Sequence, residues 1–251
     1  MTLRLDDTGF FNKDIGKGNI KIYQDSDIFC YGVDAVILAD FAAGRKSFNR
    51  ILDLGTGNGV IPLILSHKTS ASYIVGIEVQ EKSYGLAVKN AEFNELSHRV
   101  QFVLGNVNDA NSGMQALRDE SFDAVTCNPP YFTNGASVVS KNPEVAIARQ
   151  EVLAGLEDFL LYGKRKLRDK GEFFLIHRPE RLVDILSLGR QFGLEAREIR
   201  LVANKAAEKP KMVLVRMIKG GGRNLTILEP LIIHKDDGSY TDEILKIYER
   251  I

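Results

Sequence analysis

The stretch Arg50-Ile51-Leu52-Asp53-Leu54-Gly55-Thr56-Gly57-Asn58-Gly59-Val60 decides the architecture. A short apolar run that ends in a glycine-rich turn reads as a buried strand. Val60 to His67 then carries Val60, Ile61, Leu63, Ile64 and Leu65 into a helix. Glycines at such a corner permit a tight turn and let a ligand approach the backbone closely. The spacing is Gly-x-Gly-x-Gly and not the Gly-x-Gly-x-x-Gly of dinucleotide sites. Taken alone, the turn reads equally well as a ligand cradle or as a structural corner.

The same rhythm continues outward. Tyr73–Glu78, Val100–Leu104, Phe122–Cys127 and Gly171–His177 read as further strands, and Lys82–Leu96, Val152–Leu167 and Arg181–Phe192 as helices between them. Strands alternating with helices predict an α/β fold with a parallel sheet covered on both faces. Met212–Met217 and Leu225–Leu228 flank Lys219-Gly220-Gly221-Gly222-Arg223, which suggests an antiparallel hairpin closing one edge. These runs make a seven-stranded, mostly parallel sheet with a C-terminal hairpin, and Thr241–Ile251 adds a last helix. Residues 1–251 read as a single domain in which residues 1–49 form an extension packed on the core, with an apolar helical stretch at Ile28–Phe41.

Composition excludes several classes. Apolar residues make up 44% and charged residues 26% of the 251, an ordinary globular balance. No apolar run approaches the roughly 20 residues needed to span a bilayer. The start, Met1-Thr2-Leu3-Arg4-Leu5-Asp6-Asp7, lacks a signal-peptide layout, so the expected compartment is the cytoplasm. Cys30 and Cys127 cannot build a disulfide framework, and His67, His98, His177 and His234 have no ligand spacing, so no metal is expected. The charge is unevenly spread. Leu161–Arg223 holds sixteen Lys or Arg against seven Asp or Glu, a surplus of +9 that could steer a polyanion. Solvated helix faces and strand edges would hold the same charges.

Two further features carry chemistry. Glu78 ends the strand after the glycine turn, where a carboxylate can accept both hydroxyls of a ribose, implying an adenosine-type cofactor. Asn128-Pro129-Pro130-Tyr131 follows the fourth strand. The prolines hold the backbone rigid and extended, while the Asn128 side-chain carbonyl and the Pro129 main-chain carbonyl offer two fixed acceptors. Two acceptors facing one planar amine bind both its hydrogens and aim the nitrogen lone pair at an electrophilic methyl. Tyr131 offers a flat face on which a base can stack.

The set Asp53-x-Gly-x-Gly-x-Gly59, Glu78 and Asn128-Pro-Pro-Tyr131 resembles the class I methyltransferases of the small-domain group, which have a Rossmann-like fold. Phe132, Gly32-Val33-Asp34 with its following helix, Lys219-Gly220 and Gly238-Ser239-Tyr240-Thr241 are similar to the bacterial tRNA(Val) adenine-N6-methyltransferase family. The resemblance implies that Gly55, Gly57 and Gly59 surround the methionine part of S-adenosylmethionine and that Glu78 takes the ribose. It puts Asn106 near the cofactor adenine, where the superfamily often has Asp, and has Asn128, Pro129 and Tyr131 hold the target amine and base. Ala148-Arg149-Gln150-Glu151 stands where that family often shows Ala-Arg-His-Glu. The implied partner is RNA, tRNA above all. Asn-Pro-Pro-Tyr also serves glutamine-N5 protein methyltransferases, which usually carry a helical N-terminal domain; about fifty residues before the first strand are too few for one. Guanine-N2 rRNA enzymes are a second alternative, and a degenerate nucleotide-binding module is the non-enzyme one.

Overall fold

A computed structural model describes residues 2–4, 9–15, 20–25, 31–44, 47–108, 117, 121–130 and 155–249. Tyr131, Phe132, the Thr133–Glu144 loop, Arg149-Gln150-Glu151 and Cys30 lie outside them. In chain order the strands are β1 (Thr2–Arg4), β2 (Gly9–Ile15), β3 (Ile20–Asp25), β4 (Arg50–Leu54), β5 (Tyr73–Glu78), β6 (Val100–Leu104), β7 (Phe122–Cys127), β8 (Leu167–His177), β9 (Leu194–Ala203), β10 (Met212–Lys219) and β11 (Thr226–Ile232). The helices are α1 (Val33–Ala43), α2 (Val60–Lys68), α3 (Glu81–Phe93), α4 (Leu156–Lys166), α5 (Leu182–Gln191) and α6 (Asp242–Ile247).

β1, β2 and β3 form a small antiparallel sheet of their own. The main sheet has the order β11-β9-β10-β8-β7-β4-β5-β6. Its strand pairings leave β10 alone running against the rest. The chain starts this sheet at β4, lays β5 and β6 on one side, and then crosses to β7 on the other. The strand order therefore reverses between β4 and β7, which is where open parallel sheets form a ligand crevice.

Alternation along each strand divides the core between two faces. Ile51, Phe174, Ile176 and Leu214 pack with α1, α2 and α6 on one face. Leu52, Leu54, Phe173, Leu175 and Val215 pack with α4 and α5 on the other. Strands buried on both sides read as unbroken apolar runs, which is why β4, β5 and β7 are legible from sequence. α1 is apolar nearly all round and buries Ala35 to Ala39, Phe41 and Ala42, as a helix enclosed on every side must. It lies over the sheet with the Phe41 and Phe174 rings edge to face at 5.9 Å.

The C-terminal hairpin is present, but its strands are β9 and β10. The anticipated pairing of Met212–Met217 with Leu225–Leu228 does not form. β9 lies between those two runs, and β11 pairs parallel to β9. The glycine-rich Lys219–Arg223 segment is thus a crossing over the start of β9, tied down by a Gly220 N–H to Gly193 carbonyl bond of 2.9 Å. With β9 counted, the sheet has eight strands where seven were expected.

Candidate active site

Three strand tips meet at the crevice. Leu54 pairs with Ile77 on β5 and with Cys127 on β7, so Gly55, Glu78 and Asn128 emerge side by side. The turn after β4 is left-handed at each glycine, with φ of +67° at Gly55, +57° at Gly57 and +83° at Gly59. Its own hydrogen bonds set its shape, Thr56 N–H to Ile77 carbonyl at 2.9 Å and Gly59 N–H to Thr56 carbonyl at 3.0 Å. The glycines are needed for different reasons. A Cβ at Gly59 would stand 2.7 Å from Phe102 Cζ and 3.2 Å from Ala87 Cβ, so that glycine serves packing. A Cβ at Gly57 would meet nothing within 4 Å, so there the backbone faces open space.

Glu78 is 5% exposed and clasps the turn from β5. Its Oε2 accepts the Gly57 N–H at 2.8 Å, and Oε1 accepts the N–H groups of Val79 at 3.0 Å and Gln80 at 2.8 Å. A carboxylate has about four acceptor positions, and the main chain already fills three of them. Burial raises its pKa, and the three N–H donors oppose that rise. From the other side Asn90, fully buried in α3, donates to the Asn58 carbonyl at 2.9 Å. The same amide exchanges hydrogen bonds with the Tyr23 backbone, tying β3 and the glycine turn to one side chain.

Beneath the turn lies a second carboxylate. Asp53 is fully buried, and burial pushes its pKa up from 3.8 to about 7. The Thr126 hydroxyl, donating to Oδ1 at 2.6 Å, opposes the rise, as does the neighbouring Thr56 hydroxyl without completing a hydrogen bond; the Glu78 charge adds to it. Asp53 Oδ2 and Thr56 Oγ1 are buried without a hydrogen-bond partner. Such atoms cost about 1–3 kcal/mol each when left so, and they fit a ligand that brings a cationic or hydroxyl donor. Cys127 sits beside them fully buried; burial holds its thiol well above the ordinary range, so it is not a nucleophile.

Asn128 and Pro129 continue from β7 into the crevice. The Asn128 amide nitrogen donates to Asp34 Oδ2 at 3.0 Å. Asp34 belongs to the first turn of α1, 94 residues away in the chain. Asn106 lies just beyond β6, where its Oδ1 accepts the Asn108 N–H at 3.0 Å. The preceding Gly105 N–H reaches the Glu78 carbonyl at 2.9 Å, so this turn adjoins the same crevice. The structure therefore gathers Asp53, Gly55, Gly57, Gly59, Glu78, Asn106, Asn128 and Pro129 at one sheet edge. Asp34, from the Gly32-Val33-Asp34 run, and Asn90, which no motif announced, join them.

Residues 19–194 match the methyltransferase small domain. The chain belongs to that family. A tRNA1(Val) (adenine(37)-N6)-methyltransferase of Aeromonas hydrophila is 28% identical over 217 residues, covering 86% of this chain and 87% of that protein. A crystal structure of a predicted O-methyltransferase from Agrobacterium tumefaciens superposes with a TM-score of 0.68 at 24% identity, over 86% of this chain and 95% of that one. The Thermus thermophilus 16S rRNA N2 G1207 methyltransferase, in complex with AdoMet and guanosine, gives 0.59 at 21% identity, over 86% of this chain and 52% of that one. The fold is thus the Rossmann-like fold of class I methyltransferases.

In this methyltransferase the basic surplus of Leu161–Arg223 does not gather at the site. Leu167 pairs with Phe122 at the start of β7, and Lys219 with Leu194 at the start of β9. Arg168, Lys170, Lys219 and Arg223 therefore lie at the strand edge opposite Asn128. Lys170 and Lys219 there bond the Gly220 and Leu167 carbonyls. Arg216 is held between Glu172 at 2.6 Å and Glu198 at 3.2 Å. On the Asn128 edge Lys211 pairs with Glu208 at 3.8 Å, and Lys205 donates to the Asp236 carbonyl at 3.0 Å. His177, buried at the end of β8, is neutral. Its Nδ1 accepts the Arg178 N–H at 2.7 Å, while burial, then Arg181 and Arg178, push its pKa down to about 4. Among the described residues no helix is long and apolar enough to cross a membrane, and no His, Cys, Asp and Glu cluster suits a metal.

Proposed function

We propose that this methyltransferase uses S-adenosylmethionine to methylate the exocyclic amino group of an adenine in RNA, with tRNA as the substrate. The observation that carries the reading is the meeting of the glycine turn, Glu78 and Asn128-Pro129 at three adjacent strand tips. The adenine and the tRNA rest on the names of the relatives and on the Asn-Pro-Pro-Tyr motif, and that substrate assigns the work to the cytoplasm. Residues 1–49 form part of the same unit, supported by the Lys21 and Tyr23 N–H groups that bond Asn94 and Asn90 of the α3 region.

S-adenosylmethionine, when bound, supplies an electrophilic methyl group on a sulfonium. The open backbone at Gly57 and the unpartnered Asp53 Oδ2 fit its amino-acid part, and the acceptor position left on Glu78 would take one ribose hydroxyl. Asn106 would border its adenine. The Asn128 Oδ1 and the Pro129 carbonyl accept the two hydrogens of the target amine, fixing its plane and pulling its lone pair out of conjugation with the ring. Positive charge grows on that nitrogen during transfer, and two preoriented carbonyl dipoles stabilise it. Holding the amine in line accounts for most of the acceleration. The amine is neutral at the outset, so the chain needs no base before attack and the surplus proton leaves to water afterwards. Tyr131 would offer its ring for the base to stack on. An unpaired loop adenine is the cheapest target because turning it out breaks little stacking.

The test is methyl transfer from labelled cofactor into unmodified tRNA. Incorporation is expected, and transfer into a glutamine-bearing protein or into rRNA guanine alone would reject the substrate assignment.

A further inference from the structure

An asparagine that must act as an acceptor has an ambiguity built into it. The amide oxygen and nitrogen are alike in size, so a flip of the side chain costs little sterically but turns an acceptor into a donor pair. With the nitrogen forward, Asn128 would oppose the hydrogens of an amine substrate instead of receiving them. Something must choose the rotamer, and a fixed carboxylate next to the amide nitrogen can do so.

Asp34 meets the requirement. Its Oδ2 accepts from Asn128 Nδ2 at 3.0 Å, and an ionised carboxylate only accepts, so the opposite rotamer would set oxygen against oxygen. The carboxylate is itself fixed. Asp34 is 9% exposed, in the first turn of α1, where a helix N-terminus favours negative charge. Gly32 at the helix N-cap leaves room for it, since a Cβ there would stand 2.6 Å from Asp34 Oδ1. α1 is buried along nearly its whole length, so it forms a rigid mount. Helix capping alone would not aim the carboxylate at a side chain beyond the tip of β7.

We infer that Asp34 is a positioning residue: it locks the Asn128 amide with its nitrogen turned away, so that the carbonyl oxygen faces the substrate amine. The inference rests on the proposed role of Asn128, and its test includes a measurement that does not depend on the RNA. Asp34→Ala removes the acceptor; Asp34→Asn keeps the shape but lets either rotamer pair. Both should lower kcat for methyl transfer into tRNA by about 10–100-fold, the range seen when an orienting partner is lost. The cofactor Kd and the tRNA KM should stay within about threefold, because the orienting bond touches neither ligand. Independently, the Asn128 side-chain NH2 signals in a 15N-labelled protein, assigned by their loss in Asn128→Ala, should shift in Asp34→Ala.

An unchanged kcat in both variants would overturn the inference. So would a loss matched by weakened cofactor binding or a lowered Tm, because that pattern belongs to a helix cap. If Asp34→Ala does not fold, Asp34→Asn is decisive by the same criteria. If the wild-type protein transfers nothing to tRNA, the proposed substrate fails, while the amide signals still decide whether Asp34 holds Asn128.

Discussion

Asp53→Asn is the perturbation whose size follows most directly from the geometry. The Asp53 carboxyl is fully buried and its pKa stands at about 7, against 3.8 for an unstrained aspartate. A group whose folded pKa is raised contributes stability that is fully present below its unfolded pKa. That stability is lost as pH rises through the folded pKa. The window is therefore pH 4 to 7, and a shift of about three units corresponds to about 4 kcal/mol, near 1.4 per pH unit. Asparagine keeps the shape, still accepts from the Thr126 hydroxyl, and offers an N–H to the unpartnered Thr56 Oγ1. Urea unfolding of both proteins from pH 4.5 to 9 should show the variant gaining on the wild type up to pH 7 and holding a constant lead above it. Taking the difference cancels other titrating groups such as His177. A difference that does not change with pH would refute the argument. The same variant should bind S-adenosylmethionine more weakly, since an amide donor would replace the carboxylate oxygen proposed to face the cofactor's ammonium. The enzyme would then be more stable and less active, a common trade at binding sites.

Three further outcomes follow from the same site. Asn128→Ala should fold normally and lose about 10²–10³ in kcat, the usual effect of deleting one preoriented dipole, with cofactor affinity retained in calorimetry. Gly57→Ala should cost only about 1–2 kcal/mol in Tm-derived stability because its Cβ meets open space, yet weaken cofactor binding at least about tenfold. Gly59→Ala should instead lower stability by about 2–5 kcal/mol, since its Cβ drives into the Phe102 ring; equal effects at the two positions would contradict the roles assigned. Asn90→Ala strands the Tyr23 N–H and the Asn58 carbonyl, so it should lose about 2–4 kcal/mol in denaturant unfolding and speed hydrogen exchange at both places.

Much of the site was legible because its parts are local. The glycine turn, the acid ending β5 and the Asn-Pro-Pro run each announce a strand tip through a few contiguous residues, and parallel strands bring consecutive tips together. The contact of Asp34, noted only as part of the Gly32-Val33-Asp34 run, and the role of Asn90 were invisible for the opposite reason. Each acts across a long sequence interval, and only the packing of α1 and α3 brings them to the site. β9 was missed because Glu195, Arg197, Glu198 and Arg200 mask its apolar alternation; in the sheet, Arg216 of β10 and Glu243 pair with two of them. With β9 unseen, the glycine-rich segment after β10 looked like a hairpin turn. The basic surplus misled in a related way. A contiguous run of sequence crosses the sheet several times, so its charges are shared between opposite edges.

The central claim is that the crevice between β4 and β7 methylates the amino group of an RNA adenine. It is tested most directly by mass spectrometry of nucleosides from unmodified tRNA incubated with the purified protein and S-adenosylmethionine carrying a deuterated methyl group. N6-methyladenosine bearing the label is expected, and it should be absent with Asn128→Ala. Label in N2-methylguanosine, or no labelled nucleoside while the protein still binds the cofactor, would contradict it.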